Sequence, residues 1–269
     1  MQFDFSAAQI IGARKRQEDS CSAERVWRLG GEGALLITCD GMGGHAGGDV
    51  ASQTVQDTLQ SVFAKSKDDP LRALRQGLTA ANEAVSARIS ENADLEGMGT
   101  TIVAVFVQKS DLCWISVGDS HLYHMRDGKL QKLNADHSLA PVLDKMAATG
   151  EISAEDALND PQRNALRAAV MGDSLDLVDA ERRPDFLKPG DWLILCSDGL
   201  DTLSEAELLD VLKSNAQGST DQIVEKLLAA VEAQEAPKQD NASIVALKVS
   251  KANFSWRSLV GLSHRPGKK

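Results

Sequence analysis

The chain has 269 residues, 39 acids against 29 bases for a net charge of −10, and 42% hydrophobic residues. Such a length buries a sizeable core without disulfides or structural metal, and the acidic balance argues against nucleic acid or an anionic membrane as the main partner. The four cysteines (Cys21, Cys39, Cys113, Cys196) form no CxxC pair and three interrupt apolar runs, which reads as reduced, buried thiols and not as a disulfide framework or zinc site. Met1-Gln2-Phe3-Asp4 opens no basic segment followed by an apolar one, and no apolar run is long enough to span a bilayer. The expectation is a soluble, cytoplasmic protein with no signal peptide and no transmembrane segment.

In chain order, Ala34–Cys39 reads as the first strand. Two amphipathic helices follow, one with Val55, Leu59, Val62 and Phe63 on a single face, the other with Leu71, Leu74, Leu78, Ala81, Val85 and Ile89. Asp69-Pro70 supplies an N-cap and first helical residue for the second. Thr101–Val107, Leu112–Val117, His121–Met125 and Lys129–Leu133 are too closely spaced for crossover helices and read as consecutive antiparallel neighbours, the last pair joined by an Asp127-Gly128 hairpin turn. Residues 138–172 form two short helix-like pieces, the second introduced by Ser153, and then the stretch Gln162–Arg167; this excursion from the sheet is a candidate flap. Trp192–Cys196 is a strand, Ser204-Glu205-Ala206-Glu207 a capping box, and Ile223, Val224, Leu227, Leu228 and Val231 line a further helix before the final strand Ile244–Val249. Strands in two groups, each followed by a helix pair, predict an α+β fold: a four-layer α-β-β-α sandwich with two antiparallel sheets inside. Residues 1–250 read as one domain, and 251–269 as a basic tail that is a loosely ordered end or a docking arm through Trp256. Trp27, Trp114 and Trp192 read as core residues.

Aspartates recur where strands end. Asp40-Gly41 follows one apolar run, Asp198-Gly199 another, Asp119 follows Ile115–Val117, Asp240-Asn241 precedes the last strand, and Glu18-Asp19 is a further acidic pair. Any single Asp-Gly is explained as well by a turn. Several carboxylates gathered at one sheet end, however, repel one another unless a cation lies between them. Hard divalent ions such as Mg²⁺ or Mn²⁺ suit all-oxygen, water-rich surroundings, and a dinuclear centre of that kind activates water for attack on phosphorus.

Arg14-Lys15-Arg16-Gln17-Glu18-Asp19, Asp40-Gly41-Met42-Gly43-Gly44-His45, Gly99-Thr100-Thr101, Val117-Gly118-Asp119-Ser120, Ser197-Asp198-Gly199 and Asp240-Asn241-Ala242-Ser243 stand in the order found in metal-dependent protein phosphatases of the 2C type. The chain resembles that family from about Ile10 to Val249, and the Asp-Gly-Met-Gly-Gly spelling resembles its bacterial branch. The resemblance implies a serine/threonine phosphatase working by attack of a metal-bridging hydroxide. It implies two divalent cations (Mn²⁺ or Mg²⁺), with a third in bacterial relatives. Asp40 would bridge the pair, the Gly41 carbonyl would join one ion, Asp198 and Asp240 would complete the other, and Glu18 and Asp19 would act through bound waters. Asp119 matches the third-metal residue, and Arg14 the arginine that grips the substrate phosphate. A phosphorylated protein, its serine/threonine kinase and the kinase's targets are the implied partners of a monomer. A catalytically silent sensor or scaffold on the same fold, and a small-molecule phosphomonoesterase, are the competing readings. Eukaryotic relatives carry a histidine where Met42 stands; His45 is the candidate general acid, with a metal-bound water as the other proton source and capping or packing at the helix start as the alternative reading of His45. His121 reads as a surface strand residue and His137 as a packing or loop-bonding one.

Overall fold

The computed structural model describes residues 1–43 and 47–251. Strands β1 (Gln2–Ile10), β2 (Ser20–Arg28), β3 (Gly31–Cys39) and the two-residue β4 (Gly41–Met42) lead into helices α1 (Gly48–Lys65) and α2 (Pro70–Glu91). Next come β5 (Gly99–Thr100), β6 (Ile102–Gln108), β7 (Asp111–Val117), β8 (His121–Arg126) and β9 (Lys129–Lys132). Helices α3 (Ala140–Thr149) and α4 (Ala154–Asn159) precede β10 (Asp179–Arg183) and β11 (Trp192–Cys196), and α5 (Glu205–Ser214), α6 (Thr220–Ala233) and β12 (Ala242–Ser250) complete the fold.

Two five-stranded antiparallel sheets, ordered β1-β12-β11-β8-β9 and β10-β7-β6-β3-β2, stack face to face. Alternation along each strand builds the layers. Leu35 and Ile37 face Val55, Leu59, Phe63, Leu74 and Leu78 of α1 and α2. Leu36 on the opposite side of β3 packs with Trp114, Leu195, Val245 and Leu247 between the sheets. Trp192, Ile194 and Cys196 then meet Leu208, Leu212, Ile223 and Leu227 of α5 and α6. The expected α-β-β-α sandwich is what forms. Its helix starts are set by local chemistry: Asp69 accepts from the Leu71 amide ahead of Pro70, and Ser204 closes a capping box with Glu207. Asp127 and Gly128 both take positive φ at the β8–β9 hairpin. Among the described residues, no helix is long and apolar enough to cross a membrane.

Three expectations are corrected. β7 and β8 are not neighbours; they belong to different sheets, and the three residues 118–120 carry the chain across the seam between the layers. Trp27 is not a core residue: β2 is an edge strand, its neighbour Val26 takes the inward position, and Trp27 is 73% exposed. Trp114 and Trp192 are buried. His121 is not on the surface either, because the helical turn Asp198–Thr202 covers it; its Nε2 lies 2.8 Å from Asp201 Oδ1 and its ring tilts against Tyr123.

Candidate active site

The strand ends meet at one edge of the seam between the sheets. Asp40 follows β3, Asp198 follows β11, Asp240 precedes β12 and Asp119 sits in the β7–β8 crossover. With Arg14, Glu18 and Gly41 they line a cleft of about 350 Å³. Asp19 is set apart: it is buried and accepts a hydrogen bond from Ser197 Oγ at 2.7 Å. His45 lies outside the described residues, as do 252–269.

Backbone geometry explains why these positions hold still. The Asp40 carbonyl accepts from the Thr101 amide (2.9 Å) and Thr100 Oγ1 (2.8 Å), and the Asp40 amide donates to Thr101 Oγ1. Gly41 is required by space: a Cβ there would lie 2.1 Å from the Gly48 carbonyl oxygen and 2.3 Å from that of Glu18. Asn241 ties three segments together. Its Oδ1 accepts from the Glu18 amide at 2.7 Å, and its Nδ2 donates to the carbonyls of Ile11 and Arg16. A buried hydroxyl chain, Thr38 to Ser243 to Ser197 to Asp19, stitches the two sheets beside the cleft. At the crossover the Gly118 amide donates to His137 Nδ1 (3.2 Å) while the His137 amide donates to the Gly118 carbonyl (3.1 Å). The loop-bonding reading of His137 is therefore the observed one, and burial holds its imidazole below the usual value, as suits a neutral acceptor.

The electrostatics are strained without a countercharge. Burial, and then neighbouring carboxylates, push Asp40 well above the ordinary carboxylate range; burial also raises Asp198. Asp119 and Asp19 are each pushed up to about 6, burial being the largest cause in both and the charge of Asp198 a further one. Arg14 donates to the Asp240 carboxylate and so brings a cation to the cluster. No three His, Cys, Asp or Glu side chains among the described residues form a ready-made shell for one ion. The donors instead surround the cleft, an arrangement that fits hard divalent cations keeping most of their own waters. A crowded all-oxygen set with raised carboxylates fits such ions. A cysteine nucleophile is disfavoured: no thiol lines the cleft, and burial drives Cys21 and Cys113 up to about 12.

Residues 10–240 match the family model described as protein phosphatase 2C. The chain belongs to this family. A serine/threonine phosphatase, stp, of Listeria welshimeri is 37% identical over 186 residues, covering 67% of this chain and 72% of that protein. The crystal structure of the Mycobacterium tuberculosis serine/threonine phosphatase PstP/Ppp superposes with a TM-score of 0.78 at 30% identity, covering 93% of this chain and 99% of that one. The catalytic domain of PstP in complex with two manganese ions gives a TM-score of 0.74 at 29% identity, covering 93% and 99%.

Sequence reasoning missed part of the cleft. Met42, Thr101, Asn164, Leu166 and Asn241 also line it. Thr101 and Asn241 stand within family motifs but were assigned no role. Asn164 and Leu166 reach the cleft only because the segment after α4 folds back, with Ser138 and Leu166 bridged, a tertiary event that no local pattern announces.

Proposed function

We propose that this cleft hydrolyses phosphoserine and phosphothreonine monoesters in proteins, with divalent cations held by its carboxylates. The observation that carries the reading is the convergence of Glu18, Asp40, Gly41, Asp119, Asp198 and Asp240 with Arg14 on one cleft. Asp40, the Gly41 carbonyl, Asp198 and Asp240 would hold two Mn²⁺ or Mg²⁺ ions, Glu18 and Asp19 would act through waters, and Asp119 with Asp198 would take a third. The PstP structure with two manganese ions supports the pair. When bound, such ions supply activation of water and neutralise charge building on the phosphoryl oxygens.

The chain's own residues do the rest. Arg14 offers a forked guanidinium to the phosphate oxygens and fixes the phosphoryl group's rotation. To do so it must turn from Asp240, its partner in this structure. Thr100 and Thr101 pin the Asp40 backbone, so the carboxylate stays in place as charge redistributes. His45 is the general-acid candidate, since no histidine among the described residues lines the cleft. Residues 1–250 form one phosphatase domain with a flap at about 138–172, and 251–269 a basic tail. In this reading the enzyme works as a cytoplasmic monomer that opposes a serine/threonine kinase; the relatives' names support the serine/threonine phosphatase class, and no helix among the described residues is long and apolar enough to cross a membrane.

The test is hydrolysis of p-nitrophenyl phosphate and a phosphothreonine peptide with Mn²⁺, with Mg²⁺ and with EDTA. Metal-dependent phosphate release from both is expected. No release from folded protein under any metal would contradict the reading and favour a silent scaffold.

A further inference from the structure

The cleft does not end at Met42 and Leu166. Both also line an adjoining groove of about 440 Å³, with Ala168, Ala169 and Met171 as its other apolar residues and the exposed Arg167, Asp173 and Asp176 beside them. Its floor is built. β4 pairs with β5, Met42 opposite Gly99, and Thr100 exchanges two backbone hydrogen bonds with Val170, so residue 170 adds a third rung. Met171 lies over Gly99, where a Cβ would come within 2.7 Å of its Cγ. Asn82 on α2 clamps the next residues, accepting from the Gly172 amide (2.9 Å) and donating to the Asp173 carbonyl (2.6 Å). On the other side the Arg167 amide donates to the His137 carbonyl at 2.8 Å, which holds Leu166 and Ala168 in place.

We propose that this groove is a substrate subsite that takes an apolar side chain next to the phosphorylated residue of the target protein; this rests on the phosphatase reading. Two observations and the reach of an extended chain carry it. The groove adjoins the cleft and shares Met42 and Leu166 with it, so a chain whose phosphoresidue sits at Arg14 has the groove beside it. Its floor belongs to the same small ladder as Gly41, which fixes its distance from the phosphate position. An extended peptide advances about 3.3 Å per residue, so a groove that adjoins the cleft meets residues close to the phosphoresidue. Two flexible, polarizable methionines accept aliphatic or aromatic side chains of varied shape, while Arg167 set against Asp173 and Asp176 leaves the rim without a strong preference for either charge. The preference is therefore for an apolar class of residue, not for one amino acid.

The experiment uses the full chain with Mn²⁺ and phosphothreonine peptides in which a single Leu replaces Gly at each of the two positions on either side of the phosphoresidue. We expect Leu at one of these positions to raise kcat/KM about tenfold or more over Gly, with Met171→Gln bringing that ratio close to one and Met171→Leu keeping it. Because each ratio is taken within one protein, partial misfolding of a variant does not alter it. Equal kcat/KM for all peptides in an enzyme that hydrolyses p-nitrophenyl phosphate would overturn the subsite and leave the phosphatase reading standing. A Leu preference unchanged in Met171→Gln would overturn it too. Failure to hydrolyse even p-nitrophenyl phosphate would overturn both.

Discussion

Asp40, at the end of β3, and Asp198, at the end of β11, meet side chain to side chain across the seam between the two sheets. Each is raised first by burial, and Asp40 further by the charges of Asp19 and Asp198. The fold thus gathers, at one edge of its core, acids that oppose one another until a cation arrives. Stability and function pull in different directions there.

One consequence concerns Asp198→Asn. Removing one carboxylate from the crowded set relieves repulsion, so in EDTA the variant melts at or above the wild-type temperature. With Mn²⁺ at about 100 times its Kd the wild type gains about 2.7 kcal/mol by mass action, and the variant gains much less. Phosphatase activity falls by about 100-fold or more. Thermal melts with and without Mn²⁺, beside a phosphate-release assay, check all three; a variant that melts lower in EDTA would contradict the electrostatic account.

Arg14 is exposed, and its ion pair among the described residues is with Asp240, so its loss leaves the fold intact. For Arg14→Ala the account predicts a fall of about 100-fold in kcat/KM on a phosphothreonine peptide, the size of a lost charged hydrogen-bond pair. Mn²⁺ affinity by calorimetry stays within a few-fold. Arg14→Lys recovers only part, because an ammonium cannot fork.

Gly41→Ala tests the close approach that builds the cleft. The added methyl would collide with the Gly48 and Glu18 carbonyl oxygens, and these are backbone atoms that cannot swing away. A loss of about 3 kcal/mol in urea unfolding is expected, at the upper end for overpacking. Activity falls with it.

The sandwich was legible because its central strands and helices are strongly patterned. β3, β6, β7, β11 and β12 are apolar runs, and α2, α5 and α6 carry regular faces. β1, β2 and β10 were not, since edge strands carry charge and little core; Asp179-Ala180-Glu181-Arg182-Arg183 is a strand only because it pairs with β7. The split of β7 from β8 was hidden for a related reason: a short connection signals adjacency, and only the packing shows that Gly118-Asp119-Ser120 spans two layers. The acidic residues of the site could be read from strand ends. Asn164 and Leu166 could not, because their place depends on how the segment after α4 folds back.

Asp191 supplies a pH test away from the cleft. Burial alone would raise its carboxyl, but Arg126, His124 and the Lys188 amide together hold it well below the ordinary value. A depressed carboxylate stabilises the fold above the unfolded value of 3.8 and loses that contribution as the pH falls below it. Asp191→Asn should therefore cost about 3 kcal/mol at pH 7, where Arg126 loses its buried partner. The gap to wild type should narrow in urea titrations near pH 3.

The most direct measurement is calorimetric titration of Mn²⁺ into metal-stripped wild type and Asp40→Asn, with phosphate release from a phosphothreonine peptide followed on the same samples. The account predicts that the wild type binds at least two ions, as a two-metal site requires, and releases phosphate only when loaded, while Asp40→Asn loses tight binding and activity together. Full-rate hydrolysis by the stripped wild type, or full activity in Asp40→Asn, would contradict it.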